Sequence, residues 1–469
     1  MSSTPAIAIP RLLIGGVSSG VGKTTFTIGL CRALRRRGLN VALFKCGPDY
    51  LDPTYHRLAS GRTAHNLDSW LMGRDALLDT FTRNASTADV ALIEGVMGLY
   101  DGASPTEMTG SSAEIAQILD APIALVCDAS GMARSVAAIA HGFATFEPDV
   151  ALRALICNHI GSPGHLDLLR RASTRIPVLG GLLADARVAL PERHLGLHTA
   201  DELDTEPLLE AWADRVEQSC DVAALLDIAR SAAPLPAAAP IAQPLAPRCR
   251  IAIAQDAAFH FYYDANLRLL ERAGAELIAF SPVSDSQLPE CDGVYLGGGY
   301  PELHAAKLAA NSSMRRALHE HSSAGKPIYA ECGGLMYLAD AIVTLDGARH
   351  SMLGLIPGTA TMQRKLQALG YVEIETREPT PLGPAGTQFR GHQFRYSSFE
   401  TTLEPQRYTL RTKRSGQLQH EGYGSAAILG SYVHAHWASN PAVPEAFVEA
   451  CATSLRRARP PSPAPSTRR

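Results

Sequence analysis

With 469 residues, of which 46% are apolar, the chain is long enough for two or three domains with buried cores. Its 43 basic and 46 acidic residues give a net charge of −3, which excludes a general electrostatic attraction to nucleic acid or to an anionic membrane. The nine cysteines form no CxxC pair, and we find neither a secretory signal nor an apolar run that could cross a bilayer, so we expect a cytoplasmic protein with reduced thiols.

A glycine-rich loop follows the first predicted strand, which covers residues 6–14. Residues 12–25, LLIGGVSSGVGKTT, join this apolar run to a predicted helix that stops at Gly38. Glycines let backbone N–H groups approach a polyphosphate, Lys23 neutralises its charge, and the Thr24 hydroxyl suits Mg²⁺. The first glycine stands one residue too early for the standard phosphate loop, and the form instead resembles that of dethiobiotin synthetase and MinD-like NTPases. The loop residues that we expect to bind a nucleotide are Gly20, Val21, Gly22, Lys23, Thr24 and Thr25.

Two further predicted strands lead into acidic residues. The strand over residues 40–44 leads into KCGPDYLDPTYH, in which Asp49 and Asp52 could reach a metal or the substrate. For Asp52, which precedes a proline, turn formation is an equal alternative. The strand over residues 90–93 leads into Glu94, and an acid at this place near a phosphate loop is typical of a Mg²⁺ site.

Strand-like runs at residues 122–128 and 154–158 alternate with helical patterns, and Asn158 stands where a nucleotide base could be read. This alternation predicts an α/β fold with a doubly wound, mostly parallel sheet that binds ligands at the carboxyl ends of its strands. Farther along, LPERHLGL at residues 190–197 is either a solvated turn or a loop that contacts the substrate.

An alanine- and proline-rich stretch over residues 232–247 predicts a linker. A second α/β pattern follows it, with a helix predicted at residues 266–272. The strands predicted there cover residues 251–254, 275–280 and 293–296. At the other end of this region, the proline-rich and basic residues 456–469 predict a disordered tail.

A cysteine elbow is predicted in this second region. Cys332 follows the strand-like residues 326–331, and small residues stand two places away on each side, at Ala330 and Gly334. This spacing is what a sharp strand-to-helix turn needs if it is to expose a nucleophile. We expect a helix over residues 335–342, whose N-terminus favours the thiolate.

Such a thiol needs a base and a site for an oxyanion. His434 ends an apolar strand, and His436 points to the same side of that strand. The carboxylate that would complete a triad does not appear nearby in the sequence. The N–H group of Gly333, together with one from the glycine loop around Gly298, could bind the oxyanion of a tetrahedral intermediate.

Nine segments, in order along nearly the whole chain, together resemble the cobyrinic or hydrogenobyrinic acid a,c-diamide synthase family. They are GGVSSGVGKTT, KCGPDYLDP, NLDSWLM, EGVMGLYDG, PERHLGL, GGGYPE, AECGGLMYL, GHQFRYS and SYVHAHW. The resemblance implies an N-terminal P-loop NTPase domain of the dethiobiotin synthetase type and a C-terminal α/β domain of the class I glutamine amidotransferase type. We accordingly expect an ATP-dependent ligase domain over residues 1–231 and an amidotransferase domain over residues 248–455, separated by the linker and followed by the tail.

The resemblance also implies roles for single residues. Those implied for ATP and Mg²⁺ are Lys23, Thr24, Glu94 and one of Asp49 or Asp52. For glutamine hydrolysis the resemblance implies a dyad of Cys332 and His434. Typical class I enzymes have a glutamate two residues after the histidine, whereas this family lacks it and this chain has His436 there. GHQFRYS departs from the family form GHEFHYS at Gln393 and Arg395, so neither residue is assigned a role.

The implied reaction is the ATP- and glutamine-dependent amidation of the a and c acetate side chains of a corrin precursor in cobalamin biosynthesis, through an acyl phosphate and ammonia. The substrate is rich in carboxylates, and the residues that we expect to contact it are Tyr50, Arg193 and His194. We expect no nucleic acid and no membrane among the partners, and a homodimer is left open.

Two alternatives stay open. Nickel-sirohydrochlorin a,c-diamide synthase has the same build, and the PDYLDP and PERHLGL segments argue only against cobyric acid synthase. A MinD-like ATP switch is the alternative from another class of protein, although Ser18 stands in place of its signature lysine and the elbow at Cys332 is intact.

Overall fold

The chain divides after Pro240 into two units, and each contains a mostly parallel sheet. The computed structural model describes residues 6–184, 192–193, 196–197, 205–238, 247–404 and 407–458. Three predicted features lie outside the described residues, namely His194, residues 239–246 of the linker and residues 459–469 of the tail. None of the helices in the described ranges is both long enough and apolar enough to span a bilayer.

Strands and helices alternate along most of the first unit, as the sequence pattern predicts. They are β1 (Ala6–Ile7), β2 (Arg11–Gly16), α1 (Lys23–Arg36), β3 (Val41–Cys46), α2 (Asp52–Ser60), β4 (His65–Leu67), α3 (Ser69–Met72), α4 (Arg74–Ala85), β5 (Val90–Glu94), α5 (Ser112–Ile118), β6 (Ile123–Asp128), α6 (Ser135–Thr145), β7 (Leu152–Ile160), α7 (Pro163–Ala172), β8 (Val178–Leu183), β9 (Glu192–Arg193), β10 (Gly196–Leu197), α8 (Glu206–Ser219), α9 (Val222–Arg230) and β11 (Leu235–Pro236). The main sheet has the order β4-β3-β5-β2-β6-β7-β8, and all its neighbouring strands are parallel. The predicted α/β class and parallel sheet are confirmed.

Parallel pairing brings the carboxyl ends of the central strands to one edge of this sheet. Glu94 is the last residue of β5, and it stands in register with Ile14 of β2 and with Lys45 of β3. On the other side of β2, Asp128 of β6 stands in register with Asn158 of β7. The predicted phosphate loop, which leaves β2, is therefore bordered on both sides by polar strand ends.

The first predicted strand, over residues 6–14, is wrong as a single element. Pro10 has no backbone N–H to donate, and the chain forms two strands, β1 and β2, around it. Residues Leu235 and Pro236 of the predicted linker form β11, which pairs with β1. Arg11 begins β2 and is fully buried, where its guanidinium donates to the carbonyls of Ile9 and Asp120 at 3.0 and 3.1 Å.

The second unit adds two largely antiparallel sheets to a mainly parallel one. Its elements are β12 (Cys249–Ala254), α10 (Asp264–Arg272), β13 (Ala275–Phe280), β14 (Gly293–Leu296), a 3-10 turn (Pro301–His304), α11 (Ala305–Ala310), α12 (Ser312–Ser323), β15 (Ile328–Glu331), α13 (Gly333–Leu338), β16 (Ala341–Val343), β17 (Arg349–Ser351), β18 (Thr359–Met362), β19 (Ala368–Thr376), β20 (Gln388–Arg395), β21 (Ser397–Glu400), β22 (Tyr408–Thr412), β23 (Leu418–Glu421), β24 (Tyr423–Gly424), β25 (Ile428–Ser431), β26 (His434–His436), a second 3-10 turn (Trp437–Ser439) and α14 (Ala442–Ala458). The strand orders are β13-β12-β14-β15-β25-β24, β17-β16-β18-β21 and β23-β22-β19-β20-β26.

The predicted helix over residues 335–342 is too long. The helix α13 ends at Leu338, and Ala341–Val343 form strand β16, which pairs with β17 and β18. Ala339 already has an extended backbone, and the Asp340 carboxylate accepts a hydrogen bond from the N–H of Gly358 at 2.9 Å. The β-branched side chains of Ile342 and Val343 then suit a strand better than a helix.

Gly29 lets helix α1 approach helix α8 closely. A methyl group at this position would lie about 2.7 Å from the Trp212 carbonyl oxygen and 2.8 Å from a methyl carbon of Val216. Both distances are shorter than a van der Waals contact, and one of them is to a backbone atom, which cannot move aside without a large cost in free energy. These residues belong to the core that α1 and α8 share with the sheet.

We therefore expect Gly29→Ala to lower the free energy of unfolding by about 1 to 3 kcal/mol, although alanine is the better helix former. The matched control is Gly142→Ala in α6, where an added methyl group meets nothing within 4 Å. That variant should be more stable than the parent by about 0.5 to 1 kcal/mol. Urea denaturation measures both changes, and equal stabilisation of the two variants would contradict the close packing of α1 on α8.

Candidate functional site

The loop between β2 and α1 has the backbone that a phosphate cradle needs. Gly20 and Gly22 have φ values of 77° and 93°, which side chains disfavour, and Gly22 also packs directly against the Asn158 side chain. The ammonium of Lys23 donates to the carbonyls of Ser18 and Met97 at 2.9 and 2.7 Å. Burial and the nearby charge of Lys45 lower the pKa of Lys23 to about 8.

Glu94 is the centre of a buried polar network beside this loop. Its Oε1 accepts hydrogen bonds from the Thr24 hydroxyl at 2.6 Å and from the Lys45 ammonium at 2.8 Å. Its Oε2 lies 2.6 Å from Nε2 of His56. Burial disfavours the charge on Glu94, but the charges of Lys45 and His56 outweigh it and lower the pKa of the carboxyl. Sequence reasoning missed Lys45 and His56, although they are the first and last residues of the segment KCGPDYLDPTYH already singled out.

The two aspartates predicted to follow β3 have different surroundings. Asp52 begins helix α2, is buried, and lies 2.5 Å from the Lys45 ammonium. Burial and the charge of Asp49 raise the pKa of Asp52 well above its usual value. Asp49 instead accepts hydrogen bonds from the N–H groups of Leu51 and Asp52 at 2.8 and 3.1 Å, which closes a turn.

The donor atoms at this edge fit Mg²⁺. Thr24 offers a hydroxyl oxygen, and Glu94 and the aspartates offer carboxylate oxygens, which are the hard ligands that Mg²⁺ prefers. Among the described residues, no group of three or more histidine, cysteine, aspartate or glutamate side chains could hold a metal ion by itself. A Mg²⁺ ion held by such oxygens would complete its shell with phosphate oxygens and water.

The remaining residues predicted for the first site fall in three places. The Asn158 amide donates to the Val21 carbonyl at 2.9 Å, so one of its hydrogens already fixes the phosphate loop. Tyr50 is half-buried in the turn that follows β3. Arg193 lies in β9, which pairs with β10 in a two-stranded ribbon.

Cys332 occupies a strained turn between β15 and α13. Its φ of 48° is positive, which is uncommon for a residue with a side chain and typical of a nucleophile elbow. Gly334 packs directly against the carbonyl of Leu296, and a methyl group on Gly333 would lie 2.9 Å from the Pro301 ring. Both positions after the cysteine therefore require glycine.

The surroundings of the Cys332 thiol favour the neutral thiol over the thiolate. Only 8% of Cys332 is exposed, and burial raises the pKa of its thiol to about 12. The helix that begins after it has six residues, so its N-terminal field does not overcome the desolvation. The Sγ atom lies 4.0 Å from the Phe394 carbonyl oxygen, and a hydrogen bond from the backbone of Gly333 only partly offsets the effect of burial on its pKa.

Two buried histidines lie face to face on neighbouring strands near this elbow. His434 of β26 stands opposite His392 of β20, and their rings stack with centroids 5.0 Å apart. Burial lowers the pKa of His434 to about 3 and that of His436 to about 4. A methyl group on Gly298 would lie against the His434 ring, which places the glycine loop beside the predicted base. His392 was missed from sequence, although the GHQFRYS segment contains it.

Two family models match the chain. The CobQ/CobB/MinD/ParA nucleotide binding domain matches residues 12–197, and the CobB/CobQ-like glutamine amidotransferase domain matches residues 250–442. A cobyrinate a,c-diamide synthase of Leptospira interrogans is 50% identical over 451 residues, which cover 95% of this chain and 99% of that protein. Another, from Syntrophotalea carbinolica, is 46% identical over 457 residues, with the same coverage. The chain belongs to the cobyrinate a,c-diamide synthase family.

Membership in the cobyrinate a,c-diamide synthase family makes the chain a glutamine-dependent amide-forming ligase with a P-loop nucleotide-binding domain and a glutamine amidotransferase domain. The expected family resemblance and fold class are confirmed. Among solved structures, PurLQS from Thermotoga maritima aligns with a TM-score of 0.33 and 15% identity, covering 45% of this chain and 100% of that chain.

A buried glutamate ties the elbow of this synthase to its histidine strand. Glu331 directly precedes Cys332, and its Oε1 accepts hydrogen bonds from the Tyr329 hydroxyl at 2.6 Å and from the N–H of Ala435 at 3.0 Å. The Tyr295 hydroxyl donates to its Oε2 at 3.1 Å. Burial raises the pKa of Glu331 to about 7. Sequence reasoning looked for a carboxylate near the histidine and missed this one beside the cysteine.

The glycine loop of the synthase offers fewer oxyanion donors than its sequence suggests. The N–H of Gly297 donates to the Tyr262 hydroxyl at 2.7 Å, which removes it from the candidates. The Gly298 carbonyl accepts a hydrogen bond from the N–H of Phe261, which holds the peptide group between Gly298 and Gly299 in one orientation. The nitrogen of Gly299 lies about 3.2 Å from where a methyl group on Gly333 would be, which brings the loop against the predicted donor Gly333.

Replacing Lys45 by methionine removes the cation that compensates two buried carboxyls. We expect a loss of about 3 to 5 kcal/mol in the free energy of unfolding at pH 8. The loss should shrink as pH falls towards 5, because without Lys45 the carboxyls of Glu94 and Asp52 can take up protons instead. Urea denaturation at both pH values tests this. Adding Asp52→Asn to Lys45→Met should recover part of the stability, and a loss that is the same at both pH values would contradict the charge argument.

The raised pKa of Cys332 has a measurable consequence. With a pKa of about 12, the thiolate fraction rises about tenfold for each pH unit up to pH 10, and alkylation of Cys332 by iodoacetamide should rise with it. Mass spectrometry of the Cys332 peptide gives the rate, and glutathione, whose rate levels off near its own pKa, is the reference. A rate that is already constant below pH 7 would indicate a thiolate–imidazolium pair and would contradict this assignment.

Proposed function

We propose that this chain amidates the a and c acetate side chains of cobyrinic or hydrogenobyrinic acid in cobalamin biosynthesis, using ATP and glutamine. The main support is that one chain carries both a phosphate loop whose Thr24 contacts a buried Glu94 and a strained cysteine elbow in the same unit as a buried histidine pair. We assign the ligase chemistry to residues 1–231, the linker to residues 232–247, the glutaminase to residues 248–455 and the tail to residues 456–469.

The ligase site activates a carboxylate, which is a poor acyl donor at neutral pH. ATP would convert it to an acyl phosphate, and Lys23 would exchange its two carbonyl acceptors for phosphate oxygens. Thr24, Glu94 and one of Asp49 or Asp52 would hold Mg²⁺, which would neutralise charge on the phosphates. The nucleotide would lie on residues Gly20, Val21, Gly22, Lys23, Thr24, Thr25 and Asn158.

Glutamine hydrolysis supplies the ammonia. The Cys332 thiol would attack the amide carbon as His434 takes its proton, because neither group is charged in the resting site. Gly298 and Gly333 would donate to the oxyanion. His434 would pass its proton to the amide nitrogen as the C–N bond breaks, so that ammonia leaves, and water would then hydrolyse the glutamyl thioester to glutamate and the free thiol. The released ammonia would then displace phosphate from the acyl phosphate to form the amide.

The corrin substrate would meet Tyr50, Arg193 and His194, which supply an aromatic face and cations for its carboxylates. The proposal includes no nucleic acid and no membrane partner, and it places the enzyme in the cytoplasm. Size-exclusion chromatography distinguishes a monomer from a homodimer.

Mass spectrometry of the products tests the function directly. Incubation with Mg²⁺, ATP and glutamine should give two acid-to-amide conversions on cobyrinic acid or on hydrogenobyrinic acid, offered separately. Cys332→Ala should abolish the glutamine-dependent reaction, because the nucleophile is lost, and should keep synthesis from added ammonium. Cys291→Ala, which replaces another buried cysteine of the same unit, is the matched control and should keep both reactions.

Two results would contradict this assignment. Amidation of nickel-sirohydrochlorin alone would move the chain to the related a,c-diamide synthase of that substrate. ATP hydrolysis that neither glutamine nor ammonium couples to any amide product would favour the MinD-like switch.

A further inference from the structure

Arg395 brings a cation next to the nucleophile of the glutaminase site. It is the last residue of β20 and directly follows Phe394, whose carbonyl oxygen is 4.0 Å from the Cys332 sulfur. Its charge acts on the Cys332 thiol, as does the opposite charge of Glu302 in the 3-10 turn after the glycine loop. A ligand that bears both signs of charge would therefore find a partner for each near the thiol.

The guanidinium group is held in one orientation. Its central carbon lies 4.3 Å from the centre of the Tyr432 ring, a cation–π contact. One terminal nitrogen, Nη1, donates to the Ser397 carbonyl at 2.8 Å. The Ser397 hydroxyl in turn donates to the Tyr432 hydroxyl at 2.9 Å, so the ring beneath the cation is fixed as well.

One donor of this fixed group remains unsatisfied. The Nε of Arg395 is buried and has no hydrogen-bond partner in the part of the chain that the structure describes. The nearby carboxylate of Glu421 does not supply one. Its oxygens instead accept from the Ser431 hydroxyl at 2.6 Å and from the N–H of Tyr432 at 2.7 Å. A buried donor without an acceptor costs free energy, so such a group in a native site calls for an explanation.

Glutamine offers an acceptor for this donor. The thiol attacks the side-chain amide carbon, and three carbon–carbon bonds further on is the α-carbon with its carboxylate and ammonium. We propose that Arg395 binds the α-carboxylate of glutamine through Nε and thereby selects the free amino acid over amides that lack this group. The inference rests on the proposed glutaminase function and deepens it, because it names the residue that recognises the nitrogen donor.

An arginine suits this task better than another cation. Its planar group can stack on Tyr432, donate to Ser397 and still present a further N–H to a carboxylate oxygen. A lysine at the same place could supply the charge without that fixed direction. The recognition is thus directional as well as electrostatic, and the two parts can be separated by substitution.

The experiment compares Arg395→Met and Arg395→Lys with the parent enzyme. Glutaminase activity is measured with glutamine and with glutaminamide, in which the α-carboxylate is replaced by a neutral amide. Arg395→Met should lower kcat/KM for glutamine by about 10- to 100-fold, mainly by raising KM. The kcat/KM for glutaminamide should stay nearly unchanged. The preference of the parent for glutamine should therefore collapse in this variant, while Arg395→Lys keeps part of it.

A control variant and a binding measurement separate loss of glutamine recognition from loss of folding. Arg411→Met removes an exposed arginine of β22 in the same sheet and should leave both kinetic constants as in the parent. Glutamine binding to Cys332→Ser, measured by calorimetry, should weaken by a similar factor when Arg395→Met is added. This measurement does not depend on catalysis.

The outcomes are distinguishable. An equal loss of activity on glutamine and glutaminamide, or an unchanged KM for glutamine, would overturn the role of Arg395 while leaving the glutaminase itself in place. Absence of any glutamine hydrolysis by the parent enzyme, when ammonium supports amidation, would instead contradict the proposed function.

Discussion

The cost of burying a carboxylate at the end of a parallel strand organises each of the two sites. Glu94 is the last residue of β5 and Glu331 the last residue of β15, and both are almost fully buried. A buried carboxyl must find donors for its oxygens, so each glutamate draws neighbouring elements into fixed positions. In the first unit those elements are the phosphate loop, β3 and α2. In the second they are the strand of the nucleophile and the strand of the histidines.

The two glutamates meet this cost in opposite ways. Lys45 and His56 surround Glu94 with positive charge, so the carboxylate form is the stable one and its pKa falls. Within the described residues, Glu331 receives hydrogen bonds from two hydroxyl groups and one backbone N–H. These do not offset the desolvation, so its pKa rises to about 7. The first arrangement suits a site that handles phosphates and a metal ion. In the second, hydrogen bonds from Tyr329 and Ala435 hold Glu331 between the strand of the thiol and the strand of the imidazole, both of which are neutral at rest.

The sequence predicts best what depends on neighbours along the chain. The glycine-rich loop after β2, the small residues around Cys332 and the alternation that gives the parallel sheet are all local signals. It predicts poorly what depends on strand order, because Lys45, His56 and Glu94 meet only once β3 pairs with β5. The antiparallel sheets of the second unit were missed for the same reason. The helix after Cys332 was predicted too long because an apolar run alone does not tell a helix from a following strand.

The two sites also differ in what a ligand must displace. Lys23 already donates to two backbone carbonyls, so a bound polyphosphate exchanges hydrogen bonds that the resting loop makes for stronger, charge-assisted ones. Arg395 has a buried Nε without an acceptor, so a bound carboxylate adds a hydrogen bond and breaks none within the described residues. A donor that is unsatisfied at rest gains more from the same partner, because its desolvation has already been incurred. The affinity of the second site for a small amino acid can therefore depend strongly on one side chain, whereas the first spreads its affinity over a whole loop.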